Sequence, residues 1–99
     1  MRITNKEVLD TFADKHTNTA NAVNKWVEII ENSEFKNHSE LKEVFPSADY
    51  VGNERHVFNI KGNRYRLVVL VVFINGIMNV KFCGTHAQYD KMKDKKILN

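Results

Sequence analysis

Two short stretches carry the residue types from which acid–base chemistry at a phosphate could be assembled. In "GTHAQYDK", residues 84–91, a histidine, a tyrosine and a lysine fall close together, and in "NIKGNRYRLVV", residues 59–69, three cations flank a glycine–asparagine turn. Thr85 and Gln88 have capping-box spacing, which predicts a short helix with His86 in its first turn and Tyr89 and Asp90 one turn on. The free amides and the dipole at such an N-terminus attract anions and disfavour an imidazolium, which suits His86 to accepting a proton. A neutral histidine, a phenol and cations around a phosphate are the parts needed to cleave RNA without a metal. The base takes the proton of a ribose 2′-hydroxyl, the alkoxide attacks the adjacent phosphate, and cations stabilise the charge that builds on it.

A sheet must position these parts. "GN" at 62–63 and "NG" at 75–76 read as two-residue hairpin turns, because glycine and asparagine tolerate positive φ. They join strands at about 55–61, 64–74 and 77–83, after a short strand at 50–51. Across the first turn Lys61 opposes Arg64, Asn59 opposes Arg66 and Phe58 opposes Leu67. Across the second, Val72 opposes Asn79, Leu70 opposes Lys81 and Arg66 opposes Thr85. One sheet face is then apolar, with Phe58, Ile60, Tyr65, Leu67, Val69, Val71, Phe73, Met78, Val80 and Phe82. The other face collects Asn59, Lys61, Arg64, Arg66, Asn79, Lys81, Cys83 and Thr85 at one end, while Val68, Leu70 and Val72 run away from them. Lys61 opposite Arg64 costs up to about 1 kcal/mol of like-charge repulsion, which a phosphate-binding role would explain.

Helices precede the sheet. "ITNKEV" reads as a capping box of Thr4 and Glu7, with Ile3 stapled onto Val8, opening a helix that ends near Lys15. Val23, Trp26, Val27 and Ile30 form one apolar stripe on a second helix. Ser39 is the expected cap of a third, which carries Leu41 and Val44 and stops before Pro46. The fold class is therefore α+β, with two to three N-terminal helices on one face of a twisted, mainly antiparallel sheet and a short C-terminal helix. One domain spans 1–99, with its helical part at about 1–46, its sheet and site at about 47–92, and a basic tail at 93–99.

Charge divides along the chain. Residues 1–54 hold 6 Lys/Arg against 10 Asp/Glu, net −4, and residues 55–99 hold 9 against 2, net +7. The basic half is the candidate surface for a polyanion. The single cysteine, Cys83, allows no internal disulfide and suits a reducing, cytoplasmic setting. The longest apolar run, "LVVLVVFI", is too short for a membrane span. His16 and His38 read as residues of polar loops and His56 as a strand residue beside Arg55, a spacing that makes no metal site. No phosphate-binding glycine loop or nucleophile elbow is present.

The order "FPSADYVGN", "HVFNIKGNRYRLVV" and "FCGTHAQYDK" resembles the HigB-type toxins of bacterial toxin–antitoxin systems, part of the RelE-like superfamily. The resemblance is strong over about residues 40–92. It implies a RelE-like fold and an endonuclease, needing no cofactor, that cuts mRNA on the translating ribosome and is inhibited by a HigA-like helix-turn-helix antitoxin. Residues matching the motifs are Asn59, Lys61, Asn63, Tyr65, Arg66, His86, Tyr89, Asp90 and Lys91. The implied roles are His86 as acid or base, Arg66 and Lys61 on the phosphate, Tyr89 stacking on a base or assisting proton transfer, and Lys91 on the backbone. Asn59, Asn63, Arg64, Lys81 and Lys93 complete the expected RNA contacts, the tail reaching ribosomal RNA. Gln88 departs from the family's glutamate. Arg64 falls outside the motif. The alternatives are a non-catalytic RNA- or ribosome-binding inhibitor and a RelE-like fold retargeted to a protein.

Overall fold

The computed structural model describes residues 1–92. The α+β expectation holds. Helices α1 (Glu7–Lys15), α2 (Ala20–Glu31) and α3 (His38–Val44) come early, and α4 (His86–Met92) closes the described chain. The strands β1 (Arg2–Thr4), β2 (Asp49–Gly52), β3 (Arg55–Ile60), β4 (Tyr65–Val72) and β5 (Ile77–Thr85) form one sheet in the order β1-β5-β4-β3-β2. All neighbours are antiparallel except β1, which runs parallel to β5. Among the described residues, no helix is long and apolar enough to cross a membrane.

The α2 stripe packs as its spacing dictates, with Val23, Trp26 and Ile30 buried and Val27 half-buried. Trp26 stands edge-on to Phe58 at 5.4 Å, and Phe12 of α1 stands edge-on to Tyr65 at 5.2 Å. Leu67, Val69, Met78 and Val80 lie beneath the helices with no exposed surface. Each contributes about 1.5–3 kcal/mol by leaving water. These contacts make β4 the rigid centre on which one end of the sheet is displayed.

Two helix starts differ from expectation. Thr4 does not cap α1, because it closes β1, and its hydroxyl accepts from Asn79 Nδ2 at 2.6 Å. Pairing of β1 with β5 buries Ile3 in the core, and α1 opens after Lys6 with no side-chain cap. Nor does Ser39 cap α3. Asn37 does, its side-chain oxygen accepting the Glu40 N–H at 3.0 Å, while Glu40 accepts from the Lys36 N–H at 2.8 Å. Leu41 is buried as expected, but Val44 is 47% exposed.

The first hairpin keeps its expected register, with Asn59 opposite Arg66 and Phe58 opposite Leu67, but the ladder stops at Ile60–Tyr65. Lys61 and Gly62 both take positive φ, 54° and 69°, so Lys61 belongs to a four-residue turn and not to the strand. The second hairpin departs further. Phe73–Asn75 wind into a 3₁₀ turn that Gly76 ends at φ 66°, and Val72 pairs with Ile77 in place of Asn79. Lys81 is then an extra residue between the Val80–Val69 and Phe82–Val68 pairs, a β-bulge. Past the bulge the faces exchange. Gly84, not Thr85, faces Arg66, while Phe82 leaves the core face and Cys83 and Thr85 turn toward the helices.

Candidate active site

Helix α4 owes its position to the residues that start it. The Thr85 N–H donates to Gln88 Oε1 at 2.9 Å and the Gln88 N–H donates to Thr85 Oγ1 at 3.1 Å, the reciprocal capping box read from the spacing. The His86 N–H donates to the Arg64 carbonyl at 3.1 Å, which ties the helix to the first hairpin. Gly84 leaves room for this arrangement. A β-carbon there would lie 2.5 Å from Gln88 Oε1 and 2.6 Å from the Phe82 ring.

On that helix His86 Nδ1 stands 2.9 Å from the Asp90 carboxylate, one turn on, with both side chains nearly half exposed. The contact orients the imidazole and directs Nε2 away from Asp90. Tyr89 is half-buried, with Arg66 of β4 and Asp49 of β2 near enough to act on its phenol. Burial raises its phenol above the ordinary value, Asp49 and Asp90 push it the same way, and the neighbouring Arg66 guanidinium opposes them. The phenol therefore keeps its proton at neutral pH. Arg66 reaches back to the Asn63 carbonyl at 3.4 Å, and Asn59 is its cross-strand neighbour.

Arg66, His86, Tyr89 and Asp90 thus gather where α4 leaves the sheet, with Asn59, Asn63 and Arg64 around them. Lys91 is exposed on α4. Two expected members stand elsewhere. The Lys61 ammonium, turned aside by its positive φ, donates to the Asn18 carbonyl at 3.0 Å, beside the start of α2. Lys81 is exposed on the bulge and does not oppose Leu70. Lys93 and the rest of the basic tail lie outside the described residues. The apolar strip on the site face is partly covered: Val68 is fully buried, with Phe82 paired opposite and α4 packed over β4 and β5.

Tyr65 packs on the other face, against Phe12 and His16. Cys83 lines a cleft of about 330 Å³ near them, and burial pushes its thiol up to about 12, so it is no nucleophile. His38 is not a loop residue, since it opens α3 and stands 2.9 Å from His56 through Nδ1 and Nε2. Sequence reasoning gave Asp90 no task, although its position four residues after His86 was a usable signal. Asp49, which acts on Tyr89 from β2, carried no local signal.

Residues 19–92 match the family model HigB_toxin, described as the RelE-like toxic component of a toxin–antitoxin system. The chain is 30% identical over 94 residues to the mRNA interferase HigB of Escherichia coli O6:H1, covering 93% of this chain and 91% of that protein. It is also 30% identical over 93 residues to the mRNA interferase HigB of Shigella flexneri, covering 91% and 88%. With its α+β layout, its mixed five-stranded sheet and its short C-terminal helix, this chain belongs to the HigB toxin family of RelE-like toxins.

Proposed function

We propose that this toxin is an endoribonuclease that cuts mRNA on the translating ribosome by metal-free attack of a ribose 2′-hydroxyl, and so inhibits translation. The observation that carries the reading is that, at the exposed start of α4, His86 contacts Asp90 while Tyr89 lies within electrostatic reach of both Asp90 and Arg66. His86 Nε2 takes the 2′-hydroxyl proton, with Nδ1 held by Asp90. The alkoxide oxygen bonds to phosphorus as the P–O5′ bond breaks, and Arg66 stabilises the charge on the phosphoryl oxygens. Tyr89, which holds its proton at neutral pH, gives it to the departing 5′-oxygen, or stacks on a neighbouring base while water protonates that oxygen. The products are a 2′,3′-cyclic phosphate and a 5′-hydroxyl. Asn59, Asn63, Arg64 and Lys91 grip the backbone around the scissile bond. Lys61 releases its exposed carbonyl contact to reach a phosphate, Lys81 extends the cationic track, and Lys93, outside the described residues, is a further expected RNA contact. The setting is cytoplasmic, and a HigA-like helix-turn-helix antitoxin holds the toxin in check.

The relatives' names as mRNA interferases support this reading. Its test is primer extension on a message incubated with the purified protein, with and without translating ribosomes, together with end analysis of the fragments. Cuts that require ribosomes and leave cyclic phosphate ends are expected. Intact message in both reactions would favour inhibition by occupancy alone.

A further inference from the structure

At the end of β4 remote from α4, the 3₁₀ turn places Ile74 in solvent with 96% of its surface exposed. Tyr50 of β2 is 55% exposed. The two side chains border one groove of about 460 Å³, floored by Val71, Val72 and Phe73. An isoleucine so exposed contributes nothing to folding, and a groove with this lining has the aromatic and aliphatic centre of a protein-binding surface. Among the described residues that line the groove, Glu54 is the one charged side chain apart from the imidazoles of His38 and His56. RNA is therefore not drawn here. The complementary partner is an apolar protein segment flanked by a lysine or arginine.

We infer that this groove is where the protein antitoxin docks, setting apolar side chains between Tyr50 and Ile74 and a cation beside Glu54. The inference rests on the reading of the chain as a toxin held in check by a protein, and it assigns that partner a surface. Ile74 lies eight residues beyond Arg66, roughly 25 Å at the usual rise per strand residue, and the nearer edge of the groove, at His56 opposite Val69, lies on the helix face of the sheet while Arg66 lies on the other face. The anchor is therefore spatially distinct from the groups that meet RNA.

The test is calorimetric titration of the toxin with the antitoxin that relieves its growth arrest, comparing wild type, Ile74→Asp and, as an apolar control outside the groove, Val44→Asp. Ile74→Asp should weaken binding at least 100-fold while message cleavage stays within twofold of wild type, and Val44→Asp should change neither. Glu54→Lys should weaken binding about tenfold. Binding of Ile74→Asp within threefold of wild type overturns the inference. So does conversion of a self-associated wild type into a monomer by Ile74→Asp with antitoxin affinity intact, which would assign the groove to a second copy. Calorimetry reads binding whether or not RNA is cut, so a failure of the nuclease reading leaves this result interpretable.

Discussion

Two imidazole contacts sit at opposite ends of the same sheet and have opposite fates. His86 meets Asp90 at 2.9 Å on a surface helix, with both side chains nearly half exposed. His56 meets His38 at the same distance, but only 1% of its surface is exposed and its Nδ1 has no hydrogen-bond partner among the described residues. Burial, with His38 adding to it, lowers His56 to about 4. The buried ring is committed to holding α3 against β3. The exposed ring is the one proposed to exchange a proton with substrate, and its partner Asp90 also acts on Tyr89, which Arg66 faces. Location, not residue type, separates the buried histidine from the one proposed to do chemistry.

Removing the exposed partners should have the largest effect. His86→Ala should slow message cleavage by about 10²–10⁴, the usual worth of a positioned acid or base, and Arg66→Ala by about 10²–10³. Both should leave the thermal midpoint within a degree or two, since neither side chain is in the core. A fall in the midpoint of His86→Ala comparable to that of a core variant would erase the contrast.

The buried pair should announce itself through pH. The unfolded chain protonates His56 near its ordinary value of 6.5, while the folded chain does so only near 4. Between these values the unfolded state binds more protons. The stabilising contribution of neutral His56 is therefore complete above about pH 6.5 and is lost as pH falls toward 4. The loss is about 3 kcal/mol. Urea unfolding at pH 7 and pH 4.5 measures it, and equal midpoints after allowance for other groups would mean that His56 is not buried neutral.

Smaller effects should follow from the supports of α4. Gly84→Ala places a methyl group against Gln88 and Phe82, disturbs the capping box, and should cost about 1 kcal/mol with a several-fold fall in cleavage. Least of all, Arg64→Ala should weaken RNA binding modestly and flatten its log–log salt dependence by about 0.7, the increment for one single-strand phosphate contact. A larger loss of cleavage in Arg64→Ala than in Arg66→Ala would reverse the roles assigned to the hairpin.

Much of this end of the molecule was legible because local rules dominate there. Thr85 and Gln88 cap α4 as their spacing says, the α2 stripe packs on Phe58, and the first turn sets Asn59 against Arg66. What escaped depends on distant chain. Asn75 and Gly76 read as a tight primed turn, yet β1 pairs with the start of β5 and the Arg2 N–H donates to the Gly76 carbonyl at 2.8 Å. The turn adopts a 3₁₀ form, the Lys81 bulge corrects the register by one residue, and Cys83 and Thr85 exchange faces with Phe82 and Gly84. Thr4, read as a helix cap, is claimed by the same strand. The His38–His56 contact needs α3 laid against β3, which no local pattern encodes.

The most direct test of the chemistry is a single-turnover primer-extension time course on ribosome-bound message with wild type, His86→Ala and Arg66→Ala, each shown to be folded. The expected result is cutting by wild type that leaves cyclic phosphate ends, and at least 100-fold slower cutting by both variants. Cutting by folded His86→Ala and Arg66→Ala at the wild-type rate would contradict the placement of the active site at the start of α4.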